Sequence, residues 1–138
     1  MTRAIAAVLL SLLPLKALAA DLLARIDLSD QRMTVFVDGN AAYLWDVSTA
    51  RTGKCTPTGL FNVESMKRMH YSTLYDNAPM PWSIFFHGNY AIHGTPQVER
   101  LGQPASAGCV RLHPDHAETL YGLVLEHGRD KTLIRIVE

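Results

Sequence analysis

Cys109 stands in the stretch "PASAGCVRLHP", Pro104 to Pro114, behind a run of small residues that leaves its sulfur unshielded. A thiol attacks well only as a thiolate, so a reactive cysteine needs a base or a cation nearby. It also needs room for a substrate carbonyl and donors aimed at the developing oxyanion. Ala107 and Gly108 are small enough to let backbone amides approach such a centre. The same cysteine could fill a core, or pair with Cys55, the only other cysteine in the chain. The small residues alone leave all three roles open.

The candidate bases are six histidines: His70, His87, His93, His113, His116 and His127. His93 ends the apolar stretch "YAIHG" and is followed by Thr95-Pro96, so it can project from a strand end into a site built by loops. His87 ends the preceding apolar stretch and would lie near His93 if the two strands pair. His113 and His116 bracket a helix start and read as surface residues with a capping role. His127 suits the negative end of that helix. None of the cysteine and histidine spacings matches a zinc motif, so no metal site and no cofactor is expected.

Mostly strands must position these groups. Arg25–Leu28 alternates polar and apolar residues, and Arg32–Val37 carries Met33, Val35 and Val37 on one face. Asp38-Gly39 is a hairpin turn, with Ala41–Ser48 returning. Leu60–Glu64, Trp82–Phe86, Tyr90–His93 and Thr132–Val137 are further strands. Residues 66–81 lack a clean period and read as a long loop, a candidate lid over the site. One helix is expected: Pro114 suits its first position, Ala117, Leu120, Tyr121 and Val124 recur at helical spacing, and Gly128 closes it. The fold class is mainly β, with one main helix after the cysteine.

Residues 1–19 read as a secretory signal peptide, cut after Ala19. Met1-Thr2-Arg3 is a basic start, the apolar run is too short to span a bilayer, and Ala17-Leu18-Ala19 offers small residues to a signal peptidase. Residues 20–138 then form one domain. Removing Arg3 and Lys16 leaves 11 basic against 13 acidic residues, a net charge of −2. Such a domain has no electrostatic footprint for nucleic acid, and no segment of it is apolar enough to cross a membrane. The expected location is periplasmic or secreted, where exposed thiol pairs tend to oxidise.

The run "YAIHGTPQVERLGQPASAGCVRLHPDHAETLY" resembles the signature region of L,D-transpeptidases of the YkuD family. There a strand ends in Ile-His-Gly, a loop follows, and then Ser-x-Gly-Cys-aliphatic-Arg. The matching elements are Ile92-His93-Gly94 and Ser106-Ala107-Gly108-Cys109-Val110-Arg111, with the cysteine 16 positions after the histidine. Upstream, "VSTARTGKCTPTGLFNV" is similar to the family's S-T-G…T-P-T-G segment.

The resemblance implies a β-sandwich-like catalytic domain without a cofactor. It makes Cys109 the nucleophile and His93 the general base and acid. The Gly94 carbonyl orients His93, and the amides around Gly108 and Cys109 form the oxyanion hole. Arg111 holds a substrate carboxylate, with Ser106 and His87 also on the substrate side. The implied substrates are peptidoglycan stem peptides, cleaved between the diamino acid and D-alanine. The acyl group passes to an amine: a second stem peptide, an outer-membrane protein or a D-amino acid. Water in that place would give an L,D-carboxypeptidase or endopeptidase, and loss of chemistry a peptidoglycan-binding module. Ala107 departs from the histidine that many members carry there, and Cys55 has no place in the mechanism.

Overall fold

The computed structural model describes residues 20–138; the expected signal segment lies outside them. Among the described residues nine strands form two sheets, and one α-helix packs with them around a shared core. In chain order the strands are β1 (Leu22–Asp27), β2 (Arg32–Val37), β3 (Asn40–Asp46), β4 (Gly59–Asn62), β5 (Ser65–Tyr71), β6 (Pro79–His87), β7 (Tyr90–Gly94), β8 (Val110–Leu112) and β9 (Thr132–Val137). The helix α1 spans Pro114–His127, between β8 and β9. The first sheet has the order β3-β2-β1-β9-β4 and the second β5-β6-β7-β8.

Alternation drives the first sheet. Leu22, Ala24 and Ile26 of β1, Met33 and Val35 of β2, and Ile134 and Ile136 of β9 all point inward and are buried. Successive strand residues face opposite sides, so each strand contributes every second residue. The second sheet contributes Ile84, Phe86, Ile92, Val110 and Leu112 to the same cluster. Ala117, Leu120, Tyr121 and Val124 of α1 complete it. The two sheets and one main helix are the mainly β, sandwich-like architecture expected from the sequence.

Helix entry follows the expected chemistry. Pro114 occupies the first turn, and the Asp115 amide donates to Nδ1 of His113 at 3.1 Å. His116 does not simply cover the surface: its ring stacks on Trp45 at 4.9 Å and 7°.

Residues 66–81 are not a long loop. Most of them belong to β5 and the start of β6, which pair antiparallel from Ser65↔Phe85 to Tyr71↔Pro79. β5 is an edge strand with most side chains exposed or half-exposed, so burial imposes no alternation on its sequence. The true connection is Ser72–Ala78. It is closed by Ser72 N–H to the Ala78 carbonyl at 3.0 Å, and by Leu74 and Tyr75 amides donating to Ser72 Oγ. The short strand β8 carried no sequence signal of its own.

Candidate active site

The parallel pair β7–β8 sets the site. Its register places Ile92 beside Val110, His93 beside Arg111 and Gly94 beside Leu112. Ile92 and Val110 point into the core and are fully buried. The period of two therefore turns His93 and Arg111 to the other face, and Cys109, two residues before Arg111, turns with them. All three line one cleft of about 490 Å³.

His93 is buried, and its Nδ1 lies 2.7 Å from the Gly94 carbonyl oxygen. That oxygen can only accept, so Nδ1 carries the proton and Nε2 keeps its lone pair. Burial pushes the imidazole pKa down to about 4; the Gly94 bond opposes this, and the nearby Arg111 and His70 add to it. Gly94 itself must be small. A Cβ there would meet the Pro114 Cα and the Pro81 Cγ, both at 3.1 Å.

Cys109 is half-buried with its thiol free, and its Sγ lies 3.8 Å from the Asn89 carbonyl oxygen. Burial raises its pKa, against the smaller opposing effects of the Ala91 amide and Arg111. The resting pair is thus a neutral thiol and a neutral imidazole at pH 7. Such a pair can move a proton from sulfur to nitrogen as a bond to carbon forms.

The loop before the cysteine is tied down. Ser106 Oγ donates to the Cys109 carbonyl at 2.6 Å and accepts from the Gly108 amide at 3.0 Å. The Gly108 amide therefore holds the loop in this state instead of standing free for an oxyanion. Ser106 acts on the loop, although it also borders the cleft. Thr56 Oγ1 donates to the Gly108 carbonyl at 2.8 Å. Gly108 has φ +140°, and a Cβ there would fall 2.7 Å from Tyr90 Cε1 and 3.0 Å from the Cys55 carbonyl oxygen. No other residue fits that turn.

Two expected positions change. His87 is exposed at the end of β6, stacked on Tyr90 at 6.1 Å, and is not among the residues lining the cleft. It pairs with Tyr90 across the turn, three residues from His93 along β7, so the pairing of the two strands does not bring it to His93. His70 of β5 lines the cleft instead, edge-on to Phe85 at 5.1 Å. No sequence period pointed to it. Cys55 is also a free thiol; it lines a different cavity, with Gln31, Thr49 and Glu138. Arg111 donates from Nη1 to Gln97 Oε1 at 3.2 Å. Arg51, Asn89, Tyr90 and Gln97 are cleft residues that sequence reasoning did not single out. Arg51, Tyr90 and Gln97 lie in segments already marked by the resemblance.

The chain matches the YkuD family, the L,D-transpeptidase catalytic domain, over residues 22–136. It belongs to that family. Solved structures share the fold. An L,D-transpeptidase from Mycobacterium smegmatis has 22% identity and a TM-score of 0.77, with 86% of this chain and 59% of that chain covered. An L,D-transpeptidase from Xylanimonas cellulosilytica has 26% identity and a TM-score of 0.73, covering 86% and 61%. L,D-transpeptidase 3 from Mycobacterium tuberculosis, in complex with a faropenem-derived adduct, has 18% identity and a TM-score of 0.73, covering 86% and 60%. The chain thus spans about 60% of the length of these chains. A search of curated proteins returned no match.

Proposed function

We propose that this protein is a peptidoglycan L,D-transpeptidase with Cys109 as nucleophile and His93 as its base. The observation that carries the reading is the His93 Nδ1–Gly94 carbonyl bond beside a cysteine on the same sheet face. It leaves Nε2 as the one ring nitrogen able to take a proton.

In the first half-reaction the Cys109 proton passes to His93 Nε2 as sulfur attacks the carbonyl between the diamino acid and D-alanine of a stem tetrapeptide. The C–N bond breaks, D-alanine leaves with the proton from His93, and a thioester remains. In the second, an acceptor amine gives a proton to His93 and attacks the thioester. The thiolate leaves and recovers that proton. The oxyanion is met first by the Cys109 amide. The Gly108 amide joins only by exchanging its bond to Ser106 Oγ for one to the substrate. Arg111, half-buried at the cleft wall, holds a substrate carboxylate through its planar fork. The acceptor is a second stem peptide, an outer-membrane protein or a D-amino acid, and the protein acts in cell-wall assembly after export through residues 1–19. Mass analysis of the exported protein tests cleavage after Ala19. Incubation with tetrapeptide muropeptides and weighing of products tests the reaction: cross-linked or exchanged products support it, and products bearing water in place of an amine would make the enzyme a carboxypeptidase or endopeptidase.

A further inference from the structure

The segment Ser48–Arg51 is laced to both sides of the nucleophile loop. Ser48 and Arg111 exchange backbone bonds of 3.0 and 2.8 Å. The Thr49 carbonyl accepts from the Ala105 and Ser106 amides, and the Arg51 amide donates to the Ser106 carbonyl at 2.9 Å. The backbone of Arg51 is therefore fixed beside Ser106, three residues before Cys109. Its side chain borders the same cleft as Arg111.

Among the described residues these guanidiniums have no acidic partner. Among the described residues, the ion pairs are Arg32–Asp46 and His113–Asp115. None of the residues lining the cleft is Asp or Glu. Arg51 and Arg100 both press electrostatically on Arg111, adding to the effect of its burial in lowering its pKa. Like charges held together without a counter-ion cost free energy, and a bound anion relieves it. One carboxylate at Arg111 would leave Arg51 unused. Stem peptides carry further carboxylates, on the γ-linked glutamate and at the far end of the diamino acid.

We infer that Arg51 is a specificity-determining residue that grips a second carboxylate of the acyl donor, so that the enzyme discriminates free-acid stem peptides from amidated ones. The inference rests on the proposed function for the identity of the donor. It requires only binding, not turnover. Arg is suited to the task because its fork matches both carboxylate oxygens, which an amide cannot reproduce.

The test uses the full mature chain with Cys109→Ala, so that peptide is bound without reaction. Calorimetry measures three tetrapeptides: the free acid, the same peptide amidated on glutamate, and the same peptide amidated on the diamino acid. Arg51→Gln is expected to weaken the free acid about five- to tenfold, the size of an exposed charge-assisted contact. One of the two amidated peptides should bind the parent more weakly and be indifferent to Arg51→Gln, which identifies the carboxylate that Arg51 reads. Arg51→Lys should restore part of the loss. Equal weakening of all three peptides, or of none, overturns the inference while leaving the reaction intact. Absence of binding to the parent overturns it together with the choice of donor. D-Alanine release by the unmodified protein is read separately, and its absence beside normal discrimination would sink the reaction but not this assignment.

Discussion

The Nδ1 of His93 and the carbonyl oxygen of Gly94 stand 2.7 Å apart, between consecutive residues at the end of β7. A backbone group thus does what a carboxylate does in serine triads: it fixes the tautomer. It does so without a negative charge, and His93 remains a weak base, its pKa held near 4 by burial.

The pH dependence follows from that. In the proposed reaction a neutral imidazole accepts the thiol proton, and His93 stays neutral down to about pH 4. The acid limb of kcat/KM for a stem peptide should lie well below the ordinary imidazole range near pH 6.5. An acid limb centred at 6.5 or above would mean that His93 is not the group titrating.

The thiol should be slow by itself. Because burial raises the Cys109 pKa, iodoacetamide should label it with a midpoint above the ordinary thiol range. Arg111 favours the thiolate, so Arg111→Gln should slow labelling further at a fixed pH near 8. Site-resolved peptide mass spectrometry separates Cys109 from Cys55. Faster labelling in the Arg111 variant would contradict the electrostatic assignment.

His93 should also make the fold acid-sensitive. Its folded pKa is depressed below the unfolded value, so the unfolded chain binds more protons between the two. The contribution is complete above about pH 6.5 and is lost as pH falls toward 4. At about 1.4 kcal/mol per pH unit, the loss is on the order of 3 kcal/mol. Urea unfolding across this range should show the decline, and His93→Gln should flatten it. An unchanged slope in that variant would place the acid sensitivity elsewhere.

Gly108→Ala should damage both fold and activity. Its Cβ would sit 2.7 Å from the Tyr90 ring and 3.0 Å from the Cys55 carbonyl, at a φ of +140°. A cost of about 1–3 kcal/mol is expected from the backbone alone. Tyr90→Ala in the same chain removes one of the two clashes and should recover part of the stability, measured by urea unfolding. No recovery would mean that the backbone strain or the Cys55 carbonyl dominates.

If Cys109 is the nucleophile, a stem-peptide thioester donor should add its acyl mass to the peptide containing Cys109 and not to that containing Cys55. Labelling confined to Cys55 would count against the assignment, since Cys55 opens onto a separate cavity.

Much of this was legible where burial acts on one face. Thr132–Val137 alternates because every second residue enters the core, and its bounds were readable to the residue. The helix from Pro114 was readable because a first-turn proline, four core positions and a closing Gly128 agree. His93, Cys109 and Arg111 came from motif spacing, and the β7–β8 register explains that spacing: it puts all three on one face. β5 was not legible, since an edge strand with both faces largely open carries no period, and His70 was hidden with it. His87 flanks the turn and pairs with Tyr90, so the predicted pairing of β6 with β7 sets it three residues from His93 along the strand. The placement of Arg51 depends on the bridge between Ala50 and Ser106, 56 positions apart, which no local pattern encodes.

The most direct measurement is product analysis with a purified tetrapeptide stem and an amine acceptor, comparing the mature protein with Cys109→Ala. The unmodified protein should release D-alanine, pass through an enzyme species heavier by the acyl group, and yield the amine-linked product. The variant should do none of these. D-Alanine release or product formation that survives the Cys109 substitution would contradict the account.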